Sequence, residues 1–377
     1  MKTQLTNGML LAIIINIVYA KAIGVTQGIV ARQAGGDMWI ASIVSTILGL
    51  FIMILTILII KRTPDKNIFE HTRLLVGKWG EKVVGLIFFI FFLGSFGGIM
   101  ITLVYHLNDY FLPDAPIILF VIVGMFAGIF GLFYGIEVIS RVAILGVFSI
   151  AILNLLILLG SLSYFEIRHF LPLFRNGVLR SIEVTRHQNG DWAMATLMVA
   201  VILPMVKEKA KWIATSAKGI IYGGLLILLW PILQVGVLSP EVTGQYIVSC
   251  MQMARSAEIG LFIHRYELIM IIFFSLSALV QIMTCLLCAT ISMKHMIGVK
   301  SLNKLSLPVA FILGGFGYWV VVDHIRAMDL LTYYWPNISN PIAFIIPIIL
   351  FLLGLIMKKK WKSQDMSIAS KSLEKDV

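Results

Sequence analysis

Apolar runs of about 20 residues recur along the whole chain, and this feature limits the possible folds more than any other. An α-helix of that length is long enough to cross the hydrocarbon core of a bilayer. Composition agrees, because 59% of the residues are hydrophobic and only 13% are charged. Soluble domains are closer to about half apolar and a quarter charged. The sequence therefore predicts an all-α polytopic membrane protein that folds as a single transmembrane domain over residues 1–377.

Ten apolar segments define the expected transmembrane helices, and the first is expected to remain uncleaved. Their approximate bounds are 8–30, 38–60, 83–106, 115–134, 140–163, 191–206, 213–238, 267–293, 305–322 and 339–357. Two loop stretches, 67–79 and 242–263, mix apolar and charged residues and are predicted either as interfacial amphipathic helices or as ordered polar loops.

The basic residues indicate how the chain is oriented in the membrane. Lysine and arginine concentrate in the loops after spans two, six and eight and in the tail 358–377, whereas most alternate loops are poor in them. By the positive-inside rule, both termini are expected to face the cytoplasm. The loop 164–189 carries four arginines on the other side, where longer segments obey the rule less strictly. The net charge of +11 is thereby explained by topology, and nucleic acid is not an expected partner.

Ten spans divide into two sets of five, and a second five-span unit must insert upside down relative to the first. We expect repeat one at about 8–163 and repeat two at about 190–357. Inverted repeats of this kind build many secondary transporters, which bind their substrates at the midplane, where helices are broken. Span one offers such a break at "AIGVTQG" (22–28); span six begins with Asn189-Gly190-Asp191-Trp192 and carries Pro204 near its end.

The break in span one is the predicted binding site. Gly24 and Gly28 tolerate the backbone angles of an unwound segment, although glycines at this spacing also occur where helices pack closely. Thr26, Gln27 and Lys21 nearby favour a site. Unwound backbone has N–H and C=O groups that need partners in a dry environment, and a zwitterionic ligand supplies them.

Lys21 is the most informative single residue, because a charge near mid-membrane should face the bundle interior. The segment bounds place no acidic residue at the middle of another span, so no partner is evident. Three interpretations remain open. Lys21 acts as a fixed cation where related transporters hold sodium, titrates as part of proton coupling, or extends to the membrane interface.

Depth in the membrane suggests further lining residues, which together make a small, mostly apolar pocket suited to an amino acid or a nutrient of similar size. The complete predicted set is Lys21, Ala22, Gly24, Val25, Thr26, Gly28, Phe96, Met100, Leu197, Val201, Gln281 and Thr284. No sequence motif for an enzyme is present, and neither metal nor cofactor is expected. Cys285 and Cys288 form a C-x-x-C inside an apolar helix, where helix packing is the favoured interpretation.

Three stretches carry a resemblance to a known family: Gly35 to Trp39 ("GGDMW"), Phe170 to Val178 ("FLPLFRNGV") and Leu203 to Lys209 ("LPMVKEK"). With the ten-span layout, the chain resembles the B subunits of the nutrient germinant receptors of endospore-forming bacteria. That group is similar to the amino acid–polyamine–organocation transporters, which implies a LeuT-like fold of two inverted repeats with spans one and six broken. Gly24 and Gly28 would carry the family's glycine-rich break.

The resemblance implies a protein of the spore inner membrane that senses an amino acid, sugar or nucleoside. It also implies two partners, a larger membrane A subunit and a lipoprotein C subunit. The leading hypothesis is a ligand-sensing subunit that signals to these partners. The alternatives are a proton-coupled amino acid permease that uses the same site, and a membrane scaffold that binds nothing.

Overall fold

The computed structural model describes residues 5–258, 266–299 and 301–373, with side chains described except at residues 21, 22 and 358–373. Helices dominate this part of the chain. They are α1 (Asn7–Ala22), α2 (Thr26–Ala34), α3 (Met38–Ile60), α4 (Ile68–Tyr110), α5 (Ile117–Tyr134), α6 (Ile136–Ser161), α7 (Val178–Glu183), α8 (Thr185–Ile202), α9 (Trp212–Leu238), α10 (Pro240–Gln245), α11 (Ser249–Ser256), α12 (Tyr266–Ile297), α13 (Asn303–Val321), α14 (His324–Asp329) and α15 (Trp335–Leu373). Short 3₁₀ turns lie at Gly35–Asp37, Leu162–Tyr164, Ile167–Phe170, Leu203–Met205 and Lys209–Lys211, and a π-helical turn lies at Leu330–Tyr334.

Helices occupy all ten predicted segments, so the protein is a multi-pass membrane protein. Eight helical stretches of the described chain are long and apolar enough to cross a bilayer by length and composition. The two other predicted spans depart from that standard for identifiable reasons. In the first, the break leaves α1 short. In the sixth, the first half of α8 is polar, with Arg186, Gln188 and Asp191 among its residues.

Span one is interrupted where the sequence predicts it. α1 ends at Ala22, and α2 begins at Thr26, leaving Ile23, Gly24 and Val25 between two helices. Span six differs from the prediction. The helix continues through Asn189–Trp192, and its α-helical pattern gives way only to the 3₁₀ turn Leu203–Met205 beside Pro204. The interruption in span six therefore lies at one end of the helix and not at its middle.

The packing of the spans follows a matched pattern. α1 packs on α9 as α8 packs on α3, α1 packs on α6 as α8 packs on α15, and α5 packs on α12 as α13 packs on α4. In chain order, the ten spans are α1 with α2, then α3, α4, α5, α6, α8, α9, α12, α13 and α15. Replacing each span in a pair by the span five places further along the chain, and counting on from span one after span ten, gives the other pair. This is the pattern expected for two five-helix repeats. The repeat bounds 8–163 and 190–357 stay a prediction.

A short backbone junction joins the beginning of span one to the end of span six. The Leu5 N–H donates to the Met205 carbonyl at 2.8 Å, and the Lys207 N–H donates to the Leu5 carbonyl at 3.0 Å. Leu5 and Val206 form an isolated parallel bridge there. The junction fixes the relative depth of the two spans, because α1 and α8 both extend away from it. We call the side of the protein that carries it the N-terminal face.

The predicted surface helix at 67–79 is helical and forms the first segment of α4. Asn67 caps it by accepting from the Phe69 and Glu70 N–H groups, and the Glu70 side chain accepts from the Asn67 N–H. Gly77, with φ of 86° and ψ of −173°, separates this segment from the membrane-spanning part. In the stretch 242–263 the structure has α10 and α11, and residues 259–263 lie outside the described chain.

Candidate functional site

The candidate site is the break between α1 and α2. Ile23 and Val25 are fully buried, and Thr26 is nearly so. The Ile23 N–H still donates to the Tyr19 carbonyl and the Gln27 N–H donates to the Gly24 carbonyl, both at 3.3 Å. These bonds are longer than the usual N–H···O distance of about 2.9 Å. The backbone here is buried without regular helical hydrogen bonding, which is the condition that favours a bound polar ligand.

Gln27 is the most unusual side chain beside the break. It is fully buried, and neither its amide oxygen nor its amide nitrogen has a hydrogen-bond partner in the described structure. Burying such a group unpaired costs about 1–3 kcal/mol for each hydrogen-bonding atom. A ligand with a donor and an acceptor at this position would recover that cost.

Two sets of hydrogen bonds hold α1 in the turns before the break, and the first centres on Asn16. Its amide nitrogen donates to the Ala143 carbonyl of α6 at 2.8 Å, and its oxygen accepts from the Ser277 hydroxyl of α12 at 2.7 Å. Gly146 of α6 makes room for this side chain, because a Cβ there would lie 2.1 Å from the Asn16 Oδ1. One residue further along, the Gln281 amide of α12 donates to the Ile17 carbonyl.

The second set centres on Tyr19, one turn below the break. Its hydroxyl donates to the Asn154 Oδ1 at 2.5 Å and accepts from the Trp230 indole N–H at 2.9 Å. The indole is also 3.0 Å from the Asn154 Oδ1, and all three residues are buried. These hydrogen bonds join α1 of span one, α6 of span five and α9 of span seven. Helices from both predicted repeats therefore hold the end of α1 in position.

On the other side of the break, the α10–α11 segment covers α2. A Cβ built on Gly28 would lie 2.5 Å from the Tyr246 carbonyl oxygen, so only glycine allows this approach. Arg32, one turn further along α2, donates to the Gly244 carbonyl at 2.9 Å. The end of the break that leads into α2 is thus covered by this segment. We call residues 240–248 the cover segment.

Outside the cover segment lies a cavity of about 520 Å³. Its wall includes Arg32 and Gly36 at the end of span one, His169 and Arg175 of the loop before α7, and Glu241 of α10. Arg175 and Glu241 pair across it at 3.2 Å. The cavity and Gly28 both border the cover segment, because Gly244 and Gln245 line the cavity and the Tyr246 carbonyl lies against Gly28.

The structure brings some of the predicted lining residues to span one and not others. Gln281 contacts α1 directly, as described above. Phe96 and Met100 instead contact Gly317 of α13, and Met100 also contacts Gly124 of α5. These two side chains therefore pack between spans three, four and nine, and their role as lining residues stays a prediction.

The remaining predicted residues are buried but less informative. Leu197 and Val201 are buried on α8, and the Thr284 hydroxyl donates to the Val280 carbonyl of its own helix at 2.7 Å. Lys21 and Ala22 end α1, but their side chains lie outside the described part of the structure. Their roles stay predictions.

The position of Asp191 differs from the one predicted by the sequence. The sequence places it at the edge of span six, so that no acidic residue is expected at the middle of a span. In the structure α7 and α8 follow one another from Val178 to Ile202, with only Val184 between them, which puts Asp191 near the centre of the span. Asp191 is 1% exposed, and the following Trp192 packs against Gly49 at the middle of α3. The polar first half of span six is buried against protein, so hydropathy does not detect it.

The fold and the break in its first span define the chain as a membrane protein of the LeuT-like transporter architecture. Its structure matches that of Mhp1, a nucleobase-cation-symport-1 family transporter in a closed conformation with bromovinylhydantoin bound, with a TM-score of 0.62. The match covers 98% of this chain and 94% of that one at 14% sequence identity, so it establishes the fold alone.

The family itself is established by sequence. The model of the spore germination protein family matches residues 4–316, and the chain belongs to that family. It is similar to the spore germination protein YndE of Bacillus subtilis (strain 168), with 22% identity over 82% of this chain and 86% of the relative. It is also similar to the spore germination protein KB of the same organism, with 20% identity over 95% of this chain and 96% of the relative. The resemblance predicted from the sequence motifs is confirmed.

Proposed function

We propose that the protein is a nutrient-sensing subunit of a spore germination receptor, and that the nutrient binds at the break in span one. The observation that carries the proposal is the buried Gln27 amide with no partner, next to irregular backbone. A membrane protein retains such a costly arrangement where it lines a binding cavity.

The chemistry of the break favours a small zwitterion such as an amino acid, with a sugar or nucleoside as other candidates. Backbone N–H groups at the start of α2 suit a carboxylate, and carbonyls at the end of α1 suit an ammonium. Gly24, Val25, Thr26 and Gly28 are the proposed contacts from span one. From other spans we propose Gln281, together with the predicted Leu197, Val201 and Thr284.

Signalling requires that the ligand bind one conformation more tightly than another. The cover segment is the element we expect to differ between the two conformations, because it packs over Gly28 and lines the outer cavity. The proposed receivers of the signal are an A subunit and a C subunit in the spore inner membrane, with both termini of this chain in the cytoplasm. The names of the relatives, which are spore germination proteins, support this assignment.

A proton-coupled amino acid permease is the second candidate, and the transporter fold favours it. Flux separates the two functions. The full chain in proteoliposomes is expected to bind a labelled nutrient saturably without accumulating it. Accumulation that depends on a proton gradient would support the permease, and absence of binding to any amino acid, sugar or nucleoside would contradict both.

Replacing Gly24 with valine is expected to abolish nutrient binding while leaving membrane insertion intact. A β-branched residue disfavours the irregular backbone and adds bulk inside a buried segment. The measurement is a thermal-shift titration of the purified protein, because a ligand that binds the folded state raises its stability. An unchanged shift on titration would place the site elsewhere.

We also propose that Lys21 and Asp191 balance each other's charge. Lys21 follows Leu5 of the junction by sixteen residues along span one. Asp191 precedes Val206 of the junction by fifteen residues along the neighbouring span six. At 1.5 Å per residue, both are about 23 Å from the junction and lie at similar depth. A charge inside a helical bundle costs much less free energy when an opposite charge lies at the same depth than when it has no partner.

The test is a double-mutant cycle. Lys21→Met and Asp191→Asn are each expected to destabilise the protein by about 3 kcal/mol, since each removes one member of the proposed ion pair. The double variant is expected to recover most of that loss, measured as resistance to denaturation in detergent. If Lys21→Met alone has no effect on stability, ligand binding or its pH dependence, Lys21 instead extends to the membrane interface.

A further inference from the structure

A second cavity, of about 450 Å³, opens on the N-terminal face between the beginning of α4 and the end of α12. Its wall is mostly cationic. Four lysine and arginine residues line it, against two glutamates. The basic residues are Arg73, Lys78 and Lys82 from α4 and Lys294 from α12. We call this cavity the basic pocket.

The two glutamates already have other partners. Glu81, which is nearly buried, accepts from the His295 ring at 2.7 Å and pairs with Arg73 at 3.6 Å. Glu70 forms the capping box of α4 with Asn67. Among the described residues, Lys78, Lys82 and Lys294 have no carboxylate within ion-pair distance, although all three face the same cavity. Their ammonium groups would be favoured by a negatively charged ligand.

The pocket is rigid on its inner side. The His295 ring stacks on Phe69 with centroids 5.0 Å apart, and its Nε2 is 3.3 Å from the Asn67 amide nitrogen. The backbone of α12 approaches α4 closely here, because a Cβ on Gly85 would lie 2.9 Å from the Met296 nitrogen. The His295–Glu81 pair and these contacts hold the inner wall of the pocket in place. Lys78, Lys82 and Lys294 lie at its outer rim.

The exposed surface next to the basic pocket changes from charged to apolar along one face of α4. Lys78, Lys82, Leu86 and Ile90 are spaced four residues apart and so follow one face of the helix. Leu86 is 45% exposed and Ile90 44% exposed. Ile90 then lines an apolar groove of about 300 Å³ against Ile342 and Ile346 of α15. Trp79, which is 79% exposed beside the pocket, is a residue typical of the membrane interface.

We infer that the basic pocket binds the headgroup of an anionic phospholipid, with its acyl chain along Leu86 and Ile90 toward the groove on α15. Phosphate oxygens accept hydrogen bonds from the lysines at the rim, and the apolar part of the same molecule covers the exposed face of α4. Basic pockets between transmembrane helices are a recurrent way to bind anionic lipid headgroups. The sequence of charge and then apolar surface along α4 selects a lipid over a soluble phosphate.

The test is lipid binding by the full-length chain in nanodiscs, with phosphatidylglycerol compared with phosphatidylcholine. Phosphatidylglycerol is expected to bind more tightly and to raise the Tm. The double variant K82Q/K294Q is expected to bind it about 25-fold more weakly, from about fivefold for each lysine near the surface. Both lysines are at the rim, so the Tm in phosphatidylcholine should be unchanged.

Two controls complete the experiment. The variant K61Q/K66Q removes two lysines from the loop just before α4, outside the basic pocket, and is expected to keep wild-type affinity for phosphatidylglycerol. Inorganic phosphate and glycerol phosphate are titrated in parallel. Equal weakening by both double variants would overturn the site, and equal stabilisation by glycerol phosphate alone would overturn its assignment to a lipid.

Discussion

Replacing Gly28 with alanine is expected to abolish nutrient binding and to destabilise the protein by about 1–3 kcal/mol, the usual cost of overpacking a well-packed core. The added Cβ would lie 2.5 Å from the Tyr246 carbonyl oxygen, and backbone cannot rotate away as a side chain can. In this conformation the cover segment is also held in place by hydrogen bonds to α9 and α4. The Thr243 hydroxyl donates to the Gln234 carbonyl at 3.1 Å, and the Tyr110 hydroxyl donates to the Val248 carbonyl at 3.3 Å.

Gly315→Ala is the matched control, because nothing lies within 4 Å of a Cβ at that helical glycine. It should be neutral or slightly stabilising, since alanine favours helix by about 1 kcal/mol over glycine. Nutrient binding is measured by isothermal titration calorimetry. Folding is checked by size-exclusion chromatography and thermal denaturation. A folded Gly28→Ala protein with wild-type affinity would show that the cover segment is not part of the ligand site.

Replacing Asn154 with leucine is the second substitution with a large expected effect. It removes the acceptor of the Tyr19 hydroxyl, 2.5 Å away, and leaves that buried donor unpaired. It also removes one of the two acceptors of the Trp230 indole. We expect a loss of about 2 kcal/mol in stability from the unsatisfied group. Ligand affinity should fall as well, because α1 is no longer fixed one turn below the break.

Tyr19→Phe provides the graded comparison. The Trp230 indole keeps its bond to Asn154 Oδ1 in that variant, so no buried donor loses its last partner. Its expected cost is below about 1 kcal/mol, in line with single hydrogen bonds between transmembrane helices. Both variants are unfolded by titration with denaturing detergent. Equal losses for the two would mean that Asn154 acts through its packing and not through its hydrogen bonds.

The sequence predicts most of the fold because the bilayer imposes a strict rule on it. A helix in contact with lipid must be apolar over about 20 residues, and nearly all ten segments can be recognised in the sequence by such a run. The exception is the first half of span six, where the buried residues around Asp191 contact protein instead of lipid. The rule does not apply to such residues, and hydropathy therefore displaced the span by several positions.

The site was predictable only in part. The break at Gly24 follows from local chemistry, and its location is confirmed. The residues that hold α1 in place are far apart in sequence, as with Asn16 and Ser277, which are 261 positions apart. Their one signal is a polar side chain within an apolar span. Depth in the membrane is the one signal for Phe96 and Met100, and depth does not determine which way around the helix a side chain points.

The Leu5–Val206 junction has a consequence for how the bundle can move. Its backbone hydrogen bonds exist only while the beginning of span one and the end of span six lie side by side, so any passage toward the N-terminal face must first break them. On the far side, the Arg32 side chain donates to the Gly244 carbonyl and Gly28 lies against the Tyr246 carbonyl, but no backbone–backbone bond among those described joins α2 to the cover segment. The two sides of the bundle are therefore closed by different kinds of contact, backbone pairing on the N-terminal face and side-chain bonds with close packing at the cover segment, so each side can open without breaking the contacts of the other.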